Sequence, residues 1–157
     1  MKWWPLYGLR KYLTEHKKYV APVTVKLFHP NLFNRSLFVY TIDVGSSNAL
    51  NFEISALESP QYNIQRFGIY MTDSPRHADL LLILGKPTKA MLGCLAETIN
   101  QMPTPFGIVT MDDSMDEIEM CDYPELPNHV AAVKGVPDPS QILGMLLDLS
   151  KTKRRTL

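Results

Sequence analysis

Short apolar runs alternate with amphipathic stretches from residue 37 onward. Leu37-Phe38-Val39-Tyr40-Thr41-Ile42 is dense in β-formers and predicts a strand ending at Asp43. The loop Gly45-Ser46-Ser47-Asn48 follows, and Asn51 to Glu58 predicts a short helix. Arg66 to Met71 predicts a second strand. Leu80 to Leu84 is wholly apolar, the pattern of a strand buried on both faces of a parallel sheet. Gly85-Lys86-Pro87-Thr88 then opens a helix with Met91, Leu92, Leu95, Ala96 and Ile99 on one face, ending near Pro103. Phe106 to Thr110 and His129 to Val133 predict the fourth and fifth strands. Asp138 is placed to cap a last helix, with Pro139 in its first turn and Ile142, Met145, Leu146 and Leu149 as its buried stripe. Strands alternating with helices at these lengths imply α/β architecture: one doubly wound parallel sheet of about five strands. In such sheets ligands sit beyond the carboxyl ends of the strands, so any site is expected at Asp43–Asn51, Gly85–Pro87, Met111–Met115 and Lys134–Pro139.

The 157 residues suffice for one core, burying roughly two thirds of the unfolded chain's surface. Lys plus Arg balances Asp plus Glu at 16 each, so no global charge draws the chain to nucleic acid. No apolar run approaches the ~20 residues of a membrane span, and no secretory signal is expected. Two cysteines, Cys94 and Cys121, build neither a disulfide framework nor a four-cysteine metal site. Both read as small apolar residues with inert thiols, Cys94 on a helix stripe.

Charge is segregated along the chain. Residues 1–30 carry six Lys/Arg against Glu15 alone, interleaved with Trp3, Trp4, Leu6, Tyr7, Leu9 and Leu13. This basic aromatic extension (residues 1–35) reads as an attachment segment. Trp3, Trp4 and Tyr7 suit either a membrane surface or docking on protein. Residues 36–150 form the domain, and 151–157 a basic tail. Seven acids and no Lys or Arg lie between Asp112 and Glu125, which reads as a solvated loop or protein contact rather than a metal site.

Rival chemistries have little support. Gly45-Ser46-Ser47-Asn48-Ala49 lacks the final glycine of a nucleophile elbow, and His129 at a strand start is poorly placed as its base. No phosphate-loop or dinucleotide fingerprint is present. The four histidines show no zinc spacing.

An ordered set of strings carries a resemblance. Asp43-Val-Gly45-Ser46-Ser47-Asn48, Arg66-Phe67-Gly68, Ser74-Pro75-Arg76-His77-Ala78-Asp79, Gln101-Met102-Pro103-Thr104-Pro105 and Val133-Lys134-Gly135-Val136-Pro137 occur in sequence. Over residues 36–149 the chain resembles the small, cluster-carrying subunit of membrane-bound, energy-converting nickel–iron hydrogenases and the B subunit of complex I (NADH-quinone oxidoreductase). That resemblance implies a flavodoxin-like sheet. Its members hold one 4Fe–4S cluster on four cysteines, whose positions here fall at Ser47, Leu50, Ser114 and Val136. None is cysteine, and thiolate sulfur is the ligand of cluster iron. The resemblance therefore implies a lost site: no cluster, no resident metal and no cofactor. Two apolar replacements, Leu50 and Val136, suggest that the vacated space is filled.

Glu53 stands where the family has an acid near the large-subunit contact, associated with proton transfer in hydrogenase relatives. It reads equally as a surface or capping carboxylate. Arg66, Arg76, His77 and Asp79 match family strings and are expected to shape turns and contacts, with Asp79 as a cap or salt-bridge partner. The function implied is a non-catalytic structural subunit of an oxidoreductase-like complex, between a large-subunit-like protein and polytopic membrane subunits. It would sit at the cytoplasmic face of the membrane, in peripheral contact with it. The alternative is a free-standing ligand-binding or regulatory domain on the same fold.

Overall fold

The computed structural model describes residues 36–113 and 121–151. Their elements run β1 (Leu37–Gly45), α1 (Asn48–Ala56), a 3₁₀ turn (Ile64–Phe67), β2 (Ile69–Met71), a second 3₁₀ turn (Pro75–His77), β3 (Leu80–Gly85), α2 (Met91–Gln101), β4 (Gly107–Asp112), β5 (His129–Lys134) and α3 (Pro139–Lys151). The five strands form one sheet in the order β2-β1-β3-β4-β5, with every neighbouring pair parallel. This is the expected doubly wound, flavodoxin-like arrangement.

Burial follows from strand order. β3 sits between β1 and β4, and all six of its residues are buried, which explains its unbroken apolar run. One face packs Leu37, Val39, Leu80, Leu82 and Leu84 against Leu50 and Ile54 of α1 and the α3 stripe Ile142, Met145, Leu146 and Leu149. The opposite face packs Ile42, Val44, Leu81, Ile83 and Ile108 against Leu95 of α2, with Tyr123 and Leu126 alongside.

Four sequence expectations shift. α1 begins three residues early, at Asn48 and not Asn51. Leu50, Ile54 and Leu57 then form an i, i+4, i+7 stripe, and all three are buried. β2 is only three residues long, because Gly68 in the left-handed region (φ 78°) ends a 3₁₀ turn that contains Arg66. α2 begins at Met91, since residues 86–90 turn back on the sheet and Thr88 N–H bonds the Val44 carbonyl at 3.1 Å. On α2, Ala96 and Cys94 are exposed, so Cys94 does not lie on the buried stripe; Thr98 is buried instead, its hydroxyl bonding the Cys94 carbonyl at 2.9 Å. The start of α3 is as expected. The Asp138 carbonyl accepts from Gln141 and Ile142 N–H, and Gln141 Oε1 accepts from Asp138 N–H at 3.1 Å.

Candidate functional site

The carboxyl ends of β1, β3 and β4 converge where the strand order reverses. There Gly45 pairs with Gly85. Both have positive φ (151° and 75°), and a Cβ on either would collide with backbone, Lys86 O for Gly45 and Ser46 N for Gly85. Only glycine lets the two loops lie this close.

Asp43 organises the first loop. Its Oδ1 accepts from Gly45 N (3.1 Å) and Ser46 N (2.9 Å), and its Oδ2 from Asn51 Nδ2 (2.7 Å). Burial alone raises this carboxyl's pKa, but the hydrogen bonds from Asn51, Ser46 and Gly45 together outweigh it, leaving it below the ordinary value. Asn51 thus ties α1 back to β1, which explains the early helix start.

Ser47 is the residue before α1, yet its side chain caps no helix N–H. Its backbone N–H (2.8 Å) and its hydroxyl (2.5 Å) both donate to Oδ2 of Asp113, just past β4. Asp113 Oδ1 is buried with no hydrogen-bond partner among the described residues. Beside it, Lys86 lies 3.8 Å from Asp112, and the Asp112 carbonyl accepts from Gly135 N at 2.7 Å. The acidic stretch therefore does meet a cation, supplied by the β3–α2 connection.

The far end of the acidic stretch returns to the same place. Cys121 N–H bonds the Pro87 carbonyl at 2.9 Å, and the Tyr123 hydroxyl donates to the Gly85 carbonyl at 2.8 Å. Burial, then the Asp112 and Asp113 charges, push the Tyr123 hydroxyl far above its ordinary pKa, so it stays a donor. Cys121 is thus half-buried beside the Gly85–Pro87 loop. One thiol is one ligand of the four a cluster takes.

The residues expected at cluster-ligand positions meet different fates. Ser47 is bound to Asp113. Leu50 is fully buried in the core, whereas Val136 is 47% exposed. Val136 follows Gly135, whose positive φ (82°) turns the chain out of the sheet. Ser114 lies outside the described residues, as do Trp3, Trp4 and Tyr7. A hydroxyl engaged with a carboxylate and two hydrocarbon side chains do not fit an iron–sulfur cluster, and the nearby Asp43 and Asp113 would add like charge to its thiolates. Among the described residues no group of three His, Cys, Asp or Glu could hold a metal ion.

The other expected residues sit apart from this end. Glu53 is half-buried on α1, next to Phe52, which is 71% exposed. Arg66, Arg76 and His77 are exposed in the two 3₁₀ turns. Asp79 at the opposite end of the sheet makes neither a helix cap nor an ion pair with a described residue. Its Oδ2 accepts from Phe38 N–H (3.0 Å) while its own N–H donates to the Phe38 carbonyl (2.8 Å), lacing β3 to β1. His129 lies 3.0 Å from the Thr110 hydroxyl, far along the sheet from the serine loop. Sequence reasoning missed Asp43, Lys86, Asp113 and Tyr123 as the groups that hold the loops together. For Asp43, Lys86 and Asp113 the available signal was their place at strand ends; Tyr123, in the β4–β5 connection, carried none.

The chain is similar to subunits of membrane hydrogenases and quinone oxidoreductases. It is 42% identical over 71 residues to formate hydrogenlyase subunit 7 of Escherichia coli (strain K12), covering 45% of this chain and 28% of that protein. Over 77 residues it is 39% identical to the probable membrane-bound hydrogenase subunit mbhJ of Pyrococcus furiosus, covering 49% and 46%. Over 116 residues it is 27% identical to the B subunit of the NADH-quinone oxidoreductase of Chlorobium limicola, covering 65% and 59%. The chain thus spans less than two thirds of each of these relatives. A chain from the structure of the membrane-bound sulfane sulfur reductase, an archaeal respiratory membrane complex, shares the fold at TM-score 0.59 and 22% identity, covering 77% of this chain and 73% of that one. No family model matches. The chain is a homologue of these subunits, as its ordered strings implied. No helix among the described residues is long and apolar enough to cross a membrane.

Proposed function

We propose that this homologue of hydrogenase and complex I subunits is a cluster-free, non-catalytic structural subunit of a related membrane-associated complex. It bridges a large-subunit-like protein and polytopic membrane subunits, peripherally at the cytoplasmic face. One observation carries the reading. Ser47 is bound to Asp113, Leu50 lies inside the core and Val136 is exposed, and these are the residues that the resemblance aligns with cluster cysteines. The loops that would enclose a cluster are instead laced to each other by Asp43, Asp113, Lys86 and Tyr123.

A sheet that keeps its fold while its ligand loops become a hydrogen-bonded knot has a scaffold's use for that end. Contact with partners falls to outward groups such as Phe52 on α1, with Glu53 at its edge, since exposed aromatics are enriched at interfaces. Electrons in the parent complex then travel through other subunits. Anaerobic incubation of the full chain with iron and sulfide is the test. The reading predicts sub-stoichiometric iron and no broad absorption near 400 nm after desalting. A stoichiometric cubane spectrum contradicts it.

A further inference from the structure

β4 and β5 are parallel, so the chain between them runs back from the carboxyl end of the sheet to its amino end. Residues 121–128 make the last part of that return on the α2 face, as irregular chain. Tyr123 and Leu126 are half-buried there against the core that Ile42, Val44, Leu81 and Leu95 form. At the carboxyl end two hydrogen bonds fasten the segment to the β3–α2 connection. They run from Cys121 N–H to the Pro87 carbonyl (2.9 Å) and from the Tyr123 hydroxyl to the Gly85 carbonyl (2.8 Å). At its other end Asn128, with a left-handed φ of 55°, accepts from Ile108 N–H at 3.1 Å and turns the chain into β5.

The hold is light. Asp122, Pro124, Glu125 and Pro127 are exposed, and Cys121, Tyr123, Leu126 and Asn128 are only half-buried. Pro124 and Pro127 can donate no backbone hydrogen bond. β3 beneath is buried along its whole length. Segments that bury little apolar area and make few backbone bonds open at a small part of the global unfolding free energy. Burial and the charges of Asp112 and Asp113 keep the Tyr123 hydroxyl protonated, so its bond to Gly85 does not release by titration. We propose that residues 121–128 are a strap that opens as a unit while the sheet stays folded, with the Tyr123 hydroxyl as its latch. Opening uncovers the Gly85 and Pro87 carbonyls and the apolar surface beneath Tyr123 and Leu126. That surface lies beside the strand-order reversal, where doubly wound sheets take ligands.

Residue-resolved amide hydrogen exchange of the full chain, followed by nuclear magnetic resonance, tests this. With intrinsic rates divided out, the Cys121 amide should exchange on the order of a hundredfold faster than the Leu82 amide of β3. Tyr123→Phe removes the latch and should speed Cys121 exchange about fivefold. Leu126→Ala, farther along the strap, should also speed it severalfold. Ile54→Val, in the opposite core, should speed Leu82 severalfold and leave Cys121 unchanged. A Cys121 amide as slow as Leu82, or one that Ile54→Val speeds by the same factor, would mean that the strap parts only when the sheet unfolds, and would overturn the proposal. So would a Cys121 rate that either Tyr123→Phe or Leu126→Ala leaves unchanged.

Discussion

Ser47 aims its backbone N–H and its hydroxyl at one oxygen, Oδ2 of Asp113, joining the β1–α1 loop to the end of β4 across 66 residues of sequence. A serine in this position before a helix ordinarily accepts a first-turn N–H. Here it is committed instead to a contact between two loops. The link holds the two loops together at the carboxyl end of the sheet.

Breaking that link should cost stability. Ser47→Ala is expected to lose about 1 kcal/mol and Asp113→Ala about 2 kcal/mol, since the latter strands both donors. The double variant should lose less than the sum, by about 1 kcal/mol, in a urea-unfolding cycle. Full additivity would show that the two residues act separately.

The glycine crossing predicts opposite effects for two chemically identical changes. Gly85→Ala forces a Cβ into the Ser46 backbone at φ 75° and should destabilise by about 2–4 kcal/mol. Gly93→Ala, on exposed α2 with open space around it, should stabilise by about 0.5–1 kcal/mol. Thermal melting of both variants reads the difference.

Two apolar residues, Leu50 and Val136, should also part ways. Leu50→Ala opens a cavity between α1 and the sheet, at about 2–5 kcal/mol. Val136→Ala on an exposed turn should change stability by no more than about 0.5 kcal/mol. Denaturant midpoints measure both.

Asp43 gives a pH signature. Its folded-state pKa lies below the ordinary 3.8, so the carboxylate's contribution is complete at higher pH and is lost as pH falls through the folded value. Asp43→Asn should cost about 1 kcal/mol near neutrality, a figure already discounted for exposure. The gap should hold from pH 7 to about pH 5 and close below about pH 4. A gap that widens in acid would reverse the assignment.

The sheet was legible because its signals are local. Leu80 to Leu84 could only be a doubly buried strand, and the Ile142-Met145-Leu146-Leu149 spacing marked α3. Helix starts were harder, since α1 begins early through Asn51 reaching back to Asp43, a contact between elements. The site was legible only as a set of loops at strand ends. That Ser47 would meet Asp113, or Tyr123 return to the Gly85 carbonyl, depends on β4 lying beside β3 and on chain paths that periodicity does not encode. Cys94 failed because spacing marks a helix face but not how deeply each turn of it meets the sheet: Thr98, one turn on, is buried while Cys94 is exposed.

The central claim is that this chain is a scaffold subunit within a membrane complex. Its most direct test is gentle detergent extraction of the tagged full chain from native membranes, with mass spectrometry of what accompanies it. The account predicts recovery of a hydrogenase- or complex-I-like large subunit together with polytopic membrane proteins. Recovery of the chain alone, at its monomer mass, would contradict it.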